Sequence, residues 1–504
     1  MSSQTRAIDQ QPFSIVDATI DDIHAAFAAG QLSARQLTQD YLDRIEAYDK
    51  QGPSINAVVS LNPDVLADAD RLDALFSEKG LVGPLHGIPV LIKDQVDVKG
   101  MATTLGSALF ENFSPDREGF VIKKLREAGA IILGKATLGE LGGGDTHGSL
   151  FGSTRNVYDL TRTAGGSSGG CGAAVSANFC TVALGQEGFS SIRRPSIWNG
   201  IVGMRPTAGL VSRTGIFAGW PTLNGSLGPM ARTVRDLAQL LDCMVGYDPA
   251  DPVTAYGYGR TASSYHAGLR KDALVGARLG ILREPMGYAT DATSDDFKKV
   301  DDVFCKAVTE LQDAGAEIVD PIVIPDLKEL LATRARSPED DDLMYELYIK
   351  GTNAPFPDRA AVAASPLFEK VGPNSQKRWL DAPSSERQLA YHRARATLMM
   401  NMLNVMAEHR LDAIIHKAVE HQPTLIEDGV NPPFVDQKGA PHINTFLMFV
   451  PSVVVPAGFT VDQLPAGITF LGRPFSDERM VQLAFAYEHA TQHRRPPQTT
   501  PELA

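Results

Sequence analysis

The chain has 504 residues, of which 43% are hydrophobic and 21% charged, so it carries enough apolar material for a large buried core. Its formal net charge of −13 and its scattered basic residues argue against a nucleic-acid partner. Its four cysteines, Cys171, Cys180, Cys243 and Cys305, lack the spacing of a metal site or a disulfide framework, which favours a reducing, cytoplasmic location.

No membrane segment is predicted. The N-terminus lacks the apolar core of a secretory signal. The most apolar run, residues 446–459, is interrupted by Pro451 and Pro456 and is too short to cross a bilayer. We interpret this run as buried strand and loop.

Hydrophobic periodicity predicts strands that alternate with amphipathic helices along the chain. The predicted helices are 19–30, 33–49 (with Ser33 as N-cap), 63–76, 121–128, 170–178, 233–245, 295–314, 385–407 and 477–491. The predicted strands are 58–61, 88–92, 130–133, 182–184, 279–282, 317–319, 413–415, 452–455 and 467–471. This alternation predicts an α/β fold with a covered sheet. Residues 320–384, rich in Pro, Asp and Glu, are expected to form an irregular insertion near the functional site.

Two serine pairs set in glycine-rich sequence mark the candidate site. The first pair lies in the run GGSSGG at residues 165–170, and the second is Ser190–Ser191. Between them lie segments 173–175 and 182–184, which are apolar and require burial. A flexible linker would not contain such segments, so we interpret the stretch as an active site.

Three blocks of the chain resemble the amidase signature family, the Ser-Ser-Lys amide hydrolases. These blocks are GIPVLIKD at 87–94, GGSSGG at 165–170 and QEGFSSIRRP at 186–195, and the resemblance continues at 200–207 and 228–233. It covers most of the chain and implies one large α/β domain over residues 1–504, with a central mixed, twisted sheet covered by helices on both faces. The expected parts are an N-terminal helical layer (15–80), the catalytic signature core (81–250), the insertion (320–384) and the C-terminal part of the core (385–504).

The resemblance assigns catalytic roles to Lys93, Ser167 and Ser191. It implies that Ser191 is the nucleophile and that Ser167, which follows a cis peptide bond, relays its proton to Lys93. A lysine at the end of an apolar strand becomes desolvated, which lowers its pKa and lets it act as a base. Ser168 is expected to support the site by hydrogen bonding. The alternative for Ser191 is a capping role at a helix that begins at Ile192.

The resemblance also implies an oxyanion hole made of backbone N–H groups of Gly188, Phe189, Ser190 and Ser191. The family usually has glycine at the position of Ser190, so a positive φ there would strain the backbone. We expect Phe189 to line the acyl pocket. Gly143 is expected to lie against the substrate, and the alternative for it is a plain turn.

Charged neighbours of the site are interpreted as structural. Glu187 is expected to pair with Arg193 and to hold the loop before the nucleophile. Asp94 is also interpreted as structural, because a close carboxylate would raise the pKa of Lys93. By position alone, the remaining pocket candidates are His147, Trp220 and residues 444–449.

The resemblance therefore implies a serine amidase that hydrolyses a small-molecule carboxylic amide, including an aryl or other bulky apolar amide, through an acyl-enzyme. It implies a homodimer that needs neither cofactor nor metal. One alternative is the A-type subunit of an amidotransferase, which hands ammonia to a partner, although the QEGFSS block fits it poorly. The other is a non-catalytic family member, against which the joint retention of Lys93, Ser167 and Ser191 argues.

Overall fold

The computed structural model describes residues 13–217, 225–335, 338–380, 384–447 and 449–503. Trp220, one of the pocket candidates, lies outside the described residues. None of the helices within these ranges combines the length and the apolar character that a membrane span requires.

A mixed sheet of eleven strands forms the centre of the described chain. In chain order the strands are β1 (Val58–Leu61), β2 (Pro89–Lys93), β3 (Ile131–Ala136), β4 (His147–Gly148), β5 (Gly152–Ser153), β6 (Val182–Glu187), β7 (Val202–Arg205), β8 (Ser226–Ala231), β9 (Arg278–Leu282), β10 (Glu317–Ile322), β11 (Ala413–Lys417), β12 (Ser452–Phe459) and β13 (Pro465–Leu471). β4 pairs with β5 alone, and the large sheet has the order β1-β3-β2-β6-β8-β7-β12-β13-β11-β9-β10. β2 runs parallel to both of its neighbours, β3 and β6. Every residue of β2, β3 and β6 is buried, which explains their lack of polar alternation.

Helices flank this sheet. They are α1 (Ile20–Ala28), α2 (Ala34–Arg44), α3 (Val65–Lys79), α4 (Phe120–Glu127), α5 (Gly169–Ser176), α6 (Arg193–Trp198), α7 (Val234–Met244), α8 (Asp295–Asp313), α9 (Leu327–Ala332), α10 (Pro338–Ile349), α11 (Arg359–Ala363), α12 (Pro373–Leu380), α13 (Ser385–Glu408), α14 (Ile426–Val430) and α15 (Asp477–Thr491). α5 and α6 pack on each other and on β6 and β7, whereas α7 and α15 pack on each other and on β8 and β12. Ser33 caps α2 as predicted, because its hydroxyl accepts a hydrogen bond from the Gln36 N–H.

The predicted α/β fold is confirmed, but the interpretation of residues 320–384 as irregular is wrong. This segment contains α9 to α12. The apolar side chains of α9 pack with α13, whereas those of α10 and α11 pack against the loop at 105–113 in a separate hydrophobic cluster. Pro366 and Pro373 stand at the first positions of helical turns, where proline is favoured because no N–H is needed there.

Three glycines let the start of α6 lie directly on the sheet. They are Gly185 on β6, Gly203 on β7 and Gly228 on β8. A Cβ atom at these positions would lie 3.0, 2.9 and 2.7 Å from side-chain carbons of Ile192, which is too close for a packed interior. The loop that carries Ser191 therefore reaches its position only because these strands lack side chains there.

We predict that Gly203→Ala destabilises the protein. The added methyl group would collide with Ile192 and with the Ser196 hydroxyl, and such overpacking costs about 1–3 kcal/mol. The measurement is urea-induced unfolding followed by tryptophan fluorescence. Gly372→Ala is the matched control, because its Cβ would approach only the Glu140 carboxylate, at 3.4 Å. Equal stability of the two variants would contradict the packing argument.

Candidate active site

Lys93 is buried at the end of β2 and contacts Ser167. Its Nζ atom donates hydrogen bonds to Ser167 Oγ at 2.7 Å and to the Gln186 carbonyl oxygen at 3.2 Å. Burial lowers the pKa of Lys93 to about 7, because the charged ammonium is poorly solvated there. Near neutral pH, a large fraction of this amine is therefore free to accept a proton.

The Ser167–Ser168 segment links the lysine to the nucleophile loop. The Gly166–Ser167 peptide bond is cis, as the resemblance implies. Ser168 donates its backbone N–H to the Ser191 carbonyl oxygen at 3.0 Å and its hydroxyl to the Gln186 carbonyl oxygen at 3.2 Å. Ser168 thus joins the two serine blocks by hydrogen bonds, which is consistent with its expected supporting role.

Ser191 is half-buried at the edge of a cavity, between β6 and α6. The N-cap of α6 is Ile192, and no side chain caps that helix, so the alternative in which Ser191 caps a helix is wrong. Its hydroxyl takes part in none of the hydrogen bonds found among the described residues. The Ser191 hydroxyl is therefore open towards the cavity. Contact between Ser191 and Ser167 requires a small movement of these side chains, of the kind that substrate binding commonly causes in such sites.

Glu187 organises the loop that precedes the nucleophile. Its carboxylate forms the expected ion pair with Arg193, at 2.7 Å, and accepts the backbone N–H groups of Ile192 and Arg193 at 2.9 and 3.0 Å. Arg193 also donates to the Phe189 carbonyl oxygen at 2.8 Å. Within the described chain, the N–H groups of residues 188–191 have no acceptor. They are therefore available to an oxyanion.

The replacement of glycine by Ser190 does not strain this loop. Ser190 does not have a positive φ, so the conformation that would penalise a side chain is not adopted. Its hydroxyl is buried without a hydrogen-bond partner in the described chain. The loop therefore has room for the Ser190 side chain, but this side chain forms no hydrogen bond within the described chain that would hold the loop in place.

Asp94 is neutralised by a second buried lysine. Its carboxylate pairs with Lys135 Nζ at 3.0 Å and accepts hydrogen bonds from the backbone N–H and the hydroxyl of Thr104. Lys93, in contrast, forms no ion pair with any described carboxylate. The interpretation of Asp94 as structural is therefore consistent with its contacts.

A cavity of about 640 Å³ opens beside Ser191. The described residues that line it lie in segments 140–144, 186–191, 331–335, 374–379 and 434–442, together with Tyr288, Ser384 and Arg387. Phe189 and Gly143 line it, and their roles in an acyl pocket and a substrate contact stay predictions. His147 does not line it and instead hydrogen-bonds Ser153, and neither residues 444–447 nor Phe449 line it.

A series of charged side chains, the charged bridge, connects the cavity wall to the Gly166 carbonyl, which precedes Ser167. Arg378 pairs with Asp436 at 2.7 Å, and the same carboxylate accepts the Asp145 N–H at 2.7 Å. Asp145 pairs with Arg194 at 2.9 Å, and Arg194 donates to the Gly166 carbonyl oxygen at 2.7 Å. Sequence reasoning misses this bridge, because its members lie far apart in the chain and share no motif.

The described residues contain no group of three or more His, Cys, Asp or Glu side chains that could hold a metal ion. The groups that the site does present are serine hydroxyls, one buried amine and backbone N–H groups. This set suits attack on a carbonyl carbon with stabilisation of the resulting oxyanion.

Comparison with known sequences finds an amidase family model and relatives named as an amidase and an amidotransferase subunit. The Amidase family model matches residues 36–481. The A-type subunit of glutamyl-tRNA(Gln) amidotransferase from a Geobacter species is 32% identical over 95% of this chain and 98% of its own length. A probable amidase of Arabidopsis thaliana is 32% identical over 96% of this chain and 92% of its own.

Solved structures agree with this placement. The native peptide amidase of Stenotrophomonas maltophilia matches with a TM-score of 0.85 and 34% identity, over 97% of this chain and 100% of that one. A bacterial aryl acylamidase of the amidase signature family, 24% identical with a TM-score of 0.78 over 94% of this chain and 96% of that one, shows the same fold. The chain belongs to the amidase signature family.

Proposed function

We propose that this chain is a serine amidase that hydrolyses the C–N bond of a carboxylic amide through an acyl-enzyme on Ser191. The observation that carries the proposal is the 2.7 Å contact between Ser167 Oγ and the buried Lys93, whose pKa is lowered to about 7. When a partly neutral lysine is hydrogen-bonded to a serine, the lysine can act as a base and the serine can relay the proton to it. Ser191 lies at the cavity beside this unit, where an amide carbonyl has room to bind.

The first half-reaction forms the acyl-enzyme. Ser191 Oγ attacks the carbonyl carbon and gives its proton to Ser167 Oγ, which passes its own proton to Lys93 Nζ. The negative charge on the carbonyl oxygen accepts hydrogen bonds from the N–H groups of residues 188–191. The proton then returns through Ser167 to the amide nitrogen, the C–N bond breaks, and the amine leaves.

The second half-reaction releases the acid. Lys93, through Ser167, removes a proton from a water molecule that attacks the Ser191 ester. A second oxyanion forms in the same place and collapses as the proton returns to Ser191 Oγ. The carboxylic acid leaves, and the free hydroxyl is restored with no net change in the protein.

A second candidate is the A-type amidotransferase subunit, which the likeness to that subunit of glutamyl-tRNA(Gln) amidotransferase favours. Its ammonia would pass to a partner instead of into water. Purified chain that turns over amides without any partner would count against this candidate. The cytoplasmic location and the homodimer stay predictions.

We predict that Ser191→Ala lowers kcat for amides by about 10³-fold or more, because the hydroxyl that attacks the carbonyl carbon is lost. The measurement combines amide turnover with intact-protein mass after treatment with a serine-directed phosphonate. Ser190→Ala is the matched control, since the neighbouring hydroxyl is buried and makes no hydrogen bond within the described chain. A phosphonate adduct that persists on Ser191→Ala would assign the nucleophile elsewhere.

We predict that kcat/KM rises with pH, with a midpoint near the Lys93 pKa of about 7. Below this pH the amine is protonated and cannot accept the proton from Ser167, and above it the amine is neutral. The measurement is kcat/KM for one neutral amide between about pH 5 and pH 9. A rate that does not change across this range would show that Lys93 does not act as the base.

We predict opposite effects on stability for the two buried lysines. The pKa of Lys93 is lower in the folded chain than its ordinary value of 10.5, so the unfolded chain binds more protons between about pH 7 and that value. The stability contributed at this position therefore falls as the pH drops through that window. Lys93→Met is expected to keep or raise the free energy of unfolding, with the larger gain at about pH 6 than at about pH 9.

Lys135→Met is the matched comparison and is expected to destabilise the protein by about 3–5 kcal/mol, because it leaves the Asp94 carboxylate buried and unpaired. Both variants are compared with the wild type by denaturant unfolding at the two pH values. If Lys93→Met proves as destabilising as Lys135→Met, Lys93 is a structural residue.

A further inference from the structure

The first turn of α6 carries a second buried arginine, Arg194, next to the Arg193 that pairs with Glu187. The Arg194 backbone N–H donates to the Ser190 carbonyl oxygen at 3.0 Å, so Arg194 belongs to the same turn of chain as Ser191. A guanidinium keeps its positive charge even where it is buried. The loop of the proposed nucleophile is therefore followed at once by a buried cation.

The Arg194 side chain reaches from this turn to the relay segment. Its Nη2 atom donates a hydrogen bond to the Gly166 carbonyl oxygen at 2.7 Å. This carbonyl and the Ser167 N–H belong to one peptide unit, and Ser167 Oγ accepts the hydrogen bond from Lys93 at 2.7 Å. Arg194 thus connects the turn that carries Ser191 with the backbone that carries Ser167.

Backbone groups make the neighbouring contacts of this segment. The Ser167 carbonyl oxygen accepts the Gly139 N–H at 2.9 Å, and the Ser168 N–H donates to the Ser191 carbonyl oxygen at 3.0 Å. Of these contacts and the one to the Gly166 carbonyl, only the last comes from a side chain. It is therefore the contact that a substitution can remove.

Asp145 balances the charge of Arg194. Its carboxylate lies 2.9 Å from Arg194 Nη2, and both side chains are buried. The Asp145 carboxylate also accepts the Gln437 N–H at 3.3 Å, and the Asp145 N–H donates to the Asp436 carboxylate at 2.7 Å. On another side, the guanidinium carbon of Arg194 lies 5.5 Å from the centre of the Trp198 ring. The guanidinium is therefore held in place by a carboxylate and by an aromatic ring.

Most of the charge around Lys93 is offset in pairs. The titratable and charged groups on the elements around it are Asp94, Lys135, Cys171, Glu187, Arg193 and Arg194. Asp94 and Lys135 pair with each other at 3.0 Å, as do Glu187 and Arg193 at 2.7 Å. Burial raises the pKa of the Cys171 thiol to about 12, so this group is uncharged near neutral pH.

Arg194 is the cation of this set that acts on Lys93. Burial lowers the pKa of Lys93 most, and the positive charge of Arg194 lowers it further, because a like charge disfavours the ammonium form. The charge of Glu187 acts in the opposite direction. Removal of Arg194 is therefore expected to raise the pKa of Lys93.

We propose that Arg194 is a positioning residue of the proton relay, which holds the peptide unit before Ser167 in place and keeps a positive charge beside Lys93. The inference rests on the proposed amidase function and adds a residue to its mechanism. Through the Gly166 carbonyl, Arg194 fixes where Ser167 lies between Ser191 and Lys93. Its charge favours the neutral amine, which is the form that accepts the proton.

The variant Arg194→Met removes both the donor and the charge. We expect the midpoint of kcat/KM against pH to rise by about half a pH unit or more, because the like charge beside Lys93 is lost. At about pH 9, where the amine is largely neutral in both proteins, we expect kcat to fall by about 10- to 100-fold, because Ser167 is less well placed.

Arg232→Met is the matched control. Arg232 is also buried and donates to the Val175 and Cys180 carbonyl oxygens, at 3.2 and 2.7 Å. It follows β8, whose last residue pairs with the first residue of β6, so it lies at the other end of β6 from the Gln186 carbonyl that Lys93 contacts. This variant is expected to lose stability but to keep the wild-type midpoint. An equal rise in both variants would overturn the inference.

Two further variants separate charge from folding. Arg194→Lys keeps the charge and a donor, so its midpoint is expected to stay near that of the wild type and its kcat to exceed that of Arg194→Met. The double variant Asp145→Asn/Arg194→Met leaves no unpaired carboxylate at Asp145 and carries the test if Arg194→Met does not fold. A midpoint that the neutral variants leave unchanged, or one that Arg194→Lys raises as well, would overturn the inference.

The rate of phosphonate labelling of Ser191 against pH gives a readout without amide turnover. Labelling requires removal of the Ser191 proton, so its midpoint should move in the same variants. If the wild type is labelled with a midpoint near the Lys93 pKa of about 7 and Arg194→Met leaves this midpoint unchanged, only the positioning role is wrong. If the wild type is not labelled and no amide is hydrolysed, the proposed function fails, and this inference fails with it.

Discussion

The reactive centre depends on the burial of Lys93 away from any described carboxylate partner. A charged amine in such a place is costly, so the pKa of Lys93 is lowered to about 7, which the proposed role as a base requires. The contrast with Lys135 on the adjacent strand is instructive, because that lysine is equally buried but pairs with Asp94. Within one sheet, the presence or absence of a described carboxylate within ion-pairing distance therefore distinguishes Lys135 from Lys93, the proposed base.

Charge and close packing together shape the nucleophile loop. The Glu187 carboxylate accepts hydrogen bonds from the N–H groups at the start of α6 and pairs with the Arg193 side chain, so the loop is folded around a buried charge. Ile192 then lies on strands that carry glycine beneath it. The N–H groups of 188–191 are consequently left for the substrate, which is the arrangement that oxyanion stabilisation requires, because such donors must be in place before the reaction begins.

Much of the sheet and of the reactive centre could be predicted from the sequence, because both are encoded locally. Strands and helices can be predicted from hydrophobic periodicity, and Lys93, Ser167 and Ser191 lie within the three short sequence motifs that resemble the family. The cavity wall could not be predicted, since Arg334 and Phe189 meet only in the folded chain and share no motif. Two features of residues 320–384 hide their helices from prediction. The apolar residues of α10 and α11 pack on a loop instead of the sheet, and proline is usually a helix breaker whereas Pro373 begins a helix.

The two cavity walls differ in how they connect to the reactive centre. The wall at Arg378 reaches the carbonyl next to Ser167 through the charged bridge, so a change there would also disturb the relay. Arg334 touches the nucleophile loop through the face of the Phe189 ring, whereas that loop is held by Glu187 and Arg193 from below. The two walls therefore differ in whether their described ion pairs reach the segment of the proposed proton relay.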